Sequence, residues 1–228
     1  SRGLGDVYKR QVFEGVTIRF TTMARKQPAA RLYDAVVAQD GTGDYTTVQA
    51  AIDAAPAGRT QPWLIFIKKG VYKGHHDIPA NKPYIYLIGQ DRNLVSISDN
   101  RLSGGDNAYK VNDGATLTAN SDNLYFEGIN FVNSYGVEKN DGPQALALYT
   151  LGDRVALNKV GLLSYQDTWL TTTKLNNRHY IKDSWIEGAV DFIYGQGNVY
   201  LDQDTINIVR KSGGYIVAPN HPKETTWG

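Results

Sequence analysis

Four apolar segments of this chain superimpose on one another, and that repeat limits the folds open to it more than any other feature. The segments are Leu124–Phe131, Val155–Leu162, His179–Ile186 and Val199–Ile206. Phe126, Leu157, Ile181 and Leu201 fall in one column, and Phe131, Leu162, Ile186 and Ile206 in another. Between them stand Glu127, Asn158, Lys182 and Asp202, so each segment reads as a strand with one buried face, a turn and a second strand. Successive units are separated by 31, 24 and 20 residues, with no helical pattern between strands. A unit of that size cannot bury its own apolar face, so the reading is an all-β parallel β-helix in which stacked coils complete one another's core. Tyr125, Ala156, Tyr180 and Tyr200 would stack along an outer face. A β-sandwich is the alternative for the same spacing.

The repeat also brings two acids together. Asp167 lies ten residues after Leu157, and Asp191 lies ten after Ile181. In parallel register, equivalent positions on adjacent coils are about 4.7–4.9 Å apart. Two carboxylates at that spacing resist ionising together, so one should hold its proton near neutrality while the other stays charged. A general acid and a nucleophile then come from one residue type. Gln144, Gln166 and aromatic residues flank the pair. Taken singly, each Asp reads as a turn residue.

Composition excludes several classes. The 228 residues carry a net charge of +1 with no cluster of Lys and Arg, which argues against bulk nucleic-acid binding. There is no Cys, hence no disulfide, thiolate nucleophile or Cys-held zinc. The longest apolar runs, such as Trp63–Ile67, are too short to span a bilayer, and no signal peptide is visible at the start. His75, His76, His179 and His221 lack metal-ligand spacing, and no Gly-x-Ser-x-Gly elbow is present. Asp202 and Asp204 are a weak candidate for calcium.

Residues 1–11 have no periodicity, resemble translated adaptor sequence, and read as a non-native leader; residues 12–33 read as an N-terminal extension, and 34–228 as the domain. Within it, Asp40–Asp44 makes a turn and Thr46–Ala55 a short helix with Val48, Ala51, Ile52 and Ala55 inward. Thr46 and Gln49 fit a capping box, and the helix is expected to cover the open end of the solenoid. The glycines of the turn do not complete a phosphate-binding loop.

Asp40–Gln49, Gln144–Leu148, Gln166–Thr168 and Asp191–Gly195, in that order and spacing, resemble the pectin methylesterases, from about Asp34 to the C-terminus. The resemblance implies a right-handed parallel β-helix that hydrolyses methyl esters of homogalacturonan without metal or organic cofactor. Position by position it implies Asp191 as nucleophile, Asp167 as acid and then base, and the amides of Gln144 and Gln166 as oxyanion donors. It implies substrate contacts at Thr46, Val190, Trp169 and Tyr194; Trp169 stands where the family has Leu and either widens the aromatic platform or fills a surface gap, and Tyr194 stands where the family motif Asp-Phe-Ile-Phe-Gly has its second Phe. The partner implied is pectin, with no nucleic acid or membrane. A monomer acting in an extracellular or periplasmic setting is expected.

There are departures. The family's Gly-x-Tyr-x-Glu reads here Gly70-Val-Tyr72-Lys-Gly74, without the Glu. A later Leu-Gly-Arg-Pro-Trp segment, whose Arg holds the nucleophile, has no counterpart before Gly228, and Arg210 does not replace it. The expectation is therefore a fragment lacking at least one coil, weak or inactive by itself, with an open last coil prone to edge-to-edge association. Outside the esterase reading stand a lyase or polygalacturonase on the same solenoid, and a polysaccharide-binding β-helix without turnover.

Overall fold

A computed structural model describes residues 33–106 and 108–223. The leader at 1–11 and, apart from Tyr33, the extension at 12–33 lie outside the described residues. After β1 (Ala35–Val37) and helix α1 (Val48–Ala54), the chain winds through coils of three strands. These are β2 (Trp63–Ile67), β3 (Gly70–Lys73) and β4 (His76–Ile78), then β5 (Ile85–Gly89), β6 (Val95–Asp99) and β7 (Leu117–Ala119). The third and fourth coils are β8 (Leu124–Glu127), β9 (Asn130–Asn133) and β10 (Leu148–Thr150), then β11 (Val155–Asn158), β12 (Gly161–Leu163) and β13 (Trp169–Leu170). β14 (Arg178–Lys182), β15 (Trp185–Gly188) and β16 (Ile193–Gly195) precede the last, β17 (Asn198–Asp202), β18 (Thr205–Ile208) and β19 (Val217–Pro219). Corresponding strands pair in parallel into three sheets, in the orders β1-β2-β5-β8-β11-β14-β17, β3-β6-β9-β12-β15-β18 and β4-β7-β10-β13-β16-β19. The fold is a right-handed parallel β-helix. Two further short helices, α2 (Val111–Gly114) and α3 (Ser134–Lys139), lie in the connections.

The columns read from the sequence are the ladders of the structure. Phe126, Leu157, Ile181 and Leu201 pair in register, as do Phe131, Leu162, Ile186 and Ile206. They point inward, and each fully buried Leu, Ile or Phe contributes about 1.5–3 kcal/mol to holding the coils together. Outside, Tyr86, Tyr125, Ala156, Tyr180 and Tyr200 align; the rings of Tyr180 and Tyr200 stack 5.8 Å apart. In each of the last four coils one residue between the first and second strand lies in the left-handed region: Gly128, Lys159, Asp183 and Gln203, with φ of 67°, 53°, 49° and 60°. That residue turns the chain through the corner in a minimum of backbone.

Helix α1 packs against β1, β2 and β4 with Val48, Ala51 and Ile52 buried, so it closes the first end of the core. Its N-cap is Thr47 rather than Thr46: the Thr47 hydroxyl accepts from Ala50 N at 3.3 Å. Gln49 makes no capping box, because its side chain reaches Asp53 and the backbone of Asp77 in the first coil. At the other end no described residue covers the last coil, where Leu201, Ile206 and Val217 are 40%, 37% and 51% exposed. No helix among the described residues is long and apolar enough to cross a membrane. The Asp202 and Asp204 carboxylates are occupied, the first by Tyr180 and Lys182 and the second by the backbone N–H groups of Ser184 and Asp202.

His179 faces inward in the column of Leu124, Val155 and Val199, its ring edge-on to Trp169 at 6.0 Å. Burial pushes its pKa down to about 4. Its ordinary value is 6.5, so between these limits the unfolded chain binds a proton that the folded chain refuses, and stability must fall as pH is lowered through that window. The expected loss attributable to His179 is roughly 3 kcal/mol across it. Urea unfolding at pH 7 and pH 4.5 should show this, and His179→Val, matching its neighbours in the column, should lose much less over the same range. Equal pH sensitivity in the two proteins would remove His179 as the cause.

Candidate active site

The two acids stand at the same point of successive coils, each where the chain leaves the second sheet for the third. Gln166 pairs with Val190 in a parallel bridge, Asp167 N donates to Val190 O at 3.0 Å, and Trp169 pairs with Ile193. Asp191 is therefore the register neighbour of Asp167, one rung along the solenoid, at the spacing of about 4.7–4.9 Å that hydrogen-bonded strands impose. Both residues are left-handed, with φ of 60° and 49°. Asp tolerates that region better than most side chains, which is the local reason an acid can sit at this corner.

Both acids are half-buried. The Asp167 carboxyl is pushed up to about 7, chiefly by burial and further by the charge of Asp191, while the Tyr194 hydroxyl opposes the rise. That hydroxyl lies within hydrogen-bonding reach of Asp167, and burial together with this neighbour pushes the Tyr194 phenol upward. One carboxyl can thus hold a proton at neutral pH beside another of the same chemical type. Among the described residues no Lys or Arg pairs with either acid, and Arg210 is exposed on the loop after β18.

Gln144 and Gln166 arrive on neighbouring rungs, since Ala145 N donates to Gln166 O at 3.1 Å. Both are half-buried, and among the described residues neither side-chain amide hydrogen-bonds another protein group. Their N–H groups are available to a ligand. The structure thus gathers Gln144, Gln166, Asp167, Val190, Asp191 and Tyr194 around one stretch of the third sheet.

Two expected residues are elsewhere. Trp169 is fully buried, its indole donating to Thr150 Oγ1 at 3.0 Å, in the inward column of Leu148 and Ile193. It is a core residue and not part of a substrate platform. Simple alternation from Asp167 would turn Trp169 outward, but the left-handed residue at 167 breaks the period of two. Thr46 sits by α1 in a groove with Gln39, Tyr72, Lys73 and His76, on the coil of β4, three strands away from β13. Neither the acids nor the glutamines are near it. Conversely, Tyr149 and Leu170 were not expected: they pair in register with Tyr194 and form an apolar row beside the acids with Leu146 and Ala115. Carrying the Trp169–Ile193 register one residue further would have found them.

The family model for pectinesterase matches residues 34–217. The chain belongs to the pectinesterase family. A pectinesterase of Petunia integrifolia is 36% identical over 179 residues, covering 78% of this chain and 45% of that protein. A pectin methylesterase from carrot superimposes with a TM-score of 0.79 at 30% identity, over 89% of this chain and 62% of that one. A pectin methylesterase in complex with a hexasaccharide gives 0.74 at 28%, over 87% and 64%. The chain spans less than two thirds of the length of these pectinesterases, about half in the case of the Petunia protein.

Proposed function

We propose that this protein hydrolyses galacturonate methyl esters in pectin, outside the cell or in the periplasm, releasing methanol. The observation that carries the reading is the register pairing of the two acids, one of them raised to about 7, beside two free carboxamides in a pectinesterase fold. In this reading the Asp191 carboxylate attacks the ester carbonyl. Negative charge gathers on the carbonyl oxygen, where the Nε2 groups of Gln144 and Gln166 donate hydrogen bonds, each worth about 2.7–4 kcal/mol in comparable sites. As the tetrahedral adduct collapses, Asp167 gives its proton to the departing methoxide, leaving an anhydride between Asp191 and the galacturonate. Asp167, now ionised, takes a proton from water as it attacks the anhydride, and Asp191 leaves as carboxylate. Val190 and the ring of Tyr194 would flank the sugar, and the hexasaccharide bound by a related pectin methylesterase supports a polysaccharide ligand. The residues invoked need no metal, nucleic acid, membrane or second copy.

The test is methanol release from highly methylated pectin by the folded protein, with Asp191→Asn alongside. Release by the first and not the second supports the proposal. A folded protein that binds the polymer without releasing methanol would replace hydrolysis by binding.

The pH dependence has a fixed sign. Departure of methoxide needs Asp167 protonated, so kcat/KM should fall as pH rises through about 7. The Tyr194 hydroxyl stabilises the charged form of Asp167, so Tyr194→Phe should move that alkaline limb to higher pH. A limb that stays in place would remove the hydroxyl from the account.

A further inference from the structure

Each of the two free carboxamides rests on a glycine. A Cβ added at Gly104 would come within 2.7 Å of Gln144 Cδ and closer still to Oε1. One added at Gly142 would stand 2.8 Å from Gln166 Oε1, with little else near it. Real Cβ atoms do not approach so closely, so neither amide could keep its place against a side chain. Neither glycine has a φ in the left-handed region, so a positive φ is not what calls for glycine at either position. What each glycine provides is space for a carboxamide oxygen, with Nε2 turned to the opposite edge of the group.

The support under Gln144 is itself held. Ser103 N donates to Gln144 O at 2.8 Å, so the two backbones are locked and only the side chain can give. Arg101 pairs with Asp99 at 3.1 Å, donates to Asp113 O at 3.0 Å and lies over the Tyr109 ring at 4.6 Å. Asn133 Nδ2 holds Arg101 O at 2.7 Å. Contacts at Arg101, Ser103 and Tyr109 therefore hold the chain on both sides of Gly104.

We propose that Gly104 and Gly142 are positioning residues that seat the amides of Gln144 and Gln166 with their N–H groups facing the substrate carbonyl. The catalytic part of this inference rests on the function proposed above. A methyl group at Gly104 displaces chiefly the flexible end of Gln144, while Gln144 N, 3.2 Å from the added carbon, has to give by only a few tenths of an ångström, so the substitution should cost turnover far more than stability. Misplacement of a catalytic group by about 1 Å can cost about 10²-fold.

The experiment compares Gly104→Ala, Gly142→Ala, Gln144→Ala and the double variant Gly104→Ala/Gln144→Ala. Gly104→Ala should lower kcat on methylated pectin about 10²-fold with KM within about twofold and a melting temperature lowered by no more than a few degrees. In the Gln144→Ala background the same substitution should add less than about twofold, because the group it displaces is gone. Gly142→Ala should act the same way through Gln166, more weakly. A full additional loss in the double variant, or unaltered kcat in Gly104→Ala, would overturn the assignment. A second readout does not depend on turnover. In 1H–15N spectra, the side-chain amide pair that disappears in Gln144→Ala should shift in Gly104→Ala, and the Gln166 pair should not. An unshifted Gln144 pair overturns the seat even if no methanol is released, whereas absent release with a shifted pair counts only against the proposed reaction.

Discussion

Asp191→Asn should reduce methanol release by roughly a thousandfold or more, with the fold and the affinity for methylated pectin retained. Asn matches the shape of Asp and can occupy the same corner, so the loop between β15 and β16 has no reason to rearrange. What disappears is the carboxylate oxygen to which the proposed reaction assigns the acyl bond. A second change follows from the same substitution. The charge of Asp191 helps raise Asp167, so removing it should lower the Asp167 pKa and leave more of it ionised at neutral pH. The variant would thus be deprived of its nucleophile and partly of its acid. An Asn side chain can deamidate back to Asp, so Asp191→Ala is the control that contains no route to the carboxylate. More than a tenth of the original rate in folded Asp191→Ala would sink the nucleophile assignment.

Trp169→Ala should destabilise the protein by about 3–5 kcal/mol, the usual range for emptying a large aromatic site in a close-packed core. The ring fills the column between Leu148 and Ile193, meets His179 edge-on, and gives its N–H to the buried Thr150 hydroxyl. Removing it leaves a void two residues from Asp167, and any loss of activity should follow the loss of folded protein. Denaturant unfolding of the wild type, Trp169→Phe and Trp169→Ala should give a graded series. A stability change below about 1 kcal/mol together with a several-fold rise in KM would return Trp169 to the substrate.

The coils were legible because their apolar columns are repeated in the sequence itself: Phe126, Leu157 and Ile181 carry the same information three times. The adjacency of Asp167 and Asp191 followed from that repeat, since the register of a parallel ladder carries forward until something breaks it. Trp169 shows what breaks it. A left-handed residue reverses which face the following positions take, and outside glycine such residues leave little trace in a single sequence; Asp167, Lys159 and Gln203 all adopt that region. The helix cap falls at Thr47, one residue past the expected Thr46, because the two threonines are chemically equal and the choice is made by Gln49 reaching across to Asp77. Gly104 lay beyond sequence reasoning altogether. Its role is a contact with a residue forty positions later, set by the path of a loop.

The ladders tolerate wide variation in the length of chain between them. His76, Leu117, Leu148 and Trp169 are paired one to the next although 41, 31 and 21 residues separate them. The surplus is taken up in connections such as those carrying α2 and α3, while the rungs keep their spacing. The interval between the two acids is accordingly a property of backbone hydrogen bonding and is indifferent to the loops around it. A protein built this way can acquire longer or shorter walls beside the paired acids, and so present a different groove, without altering the spacing between them.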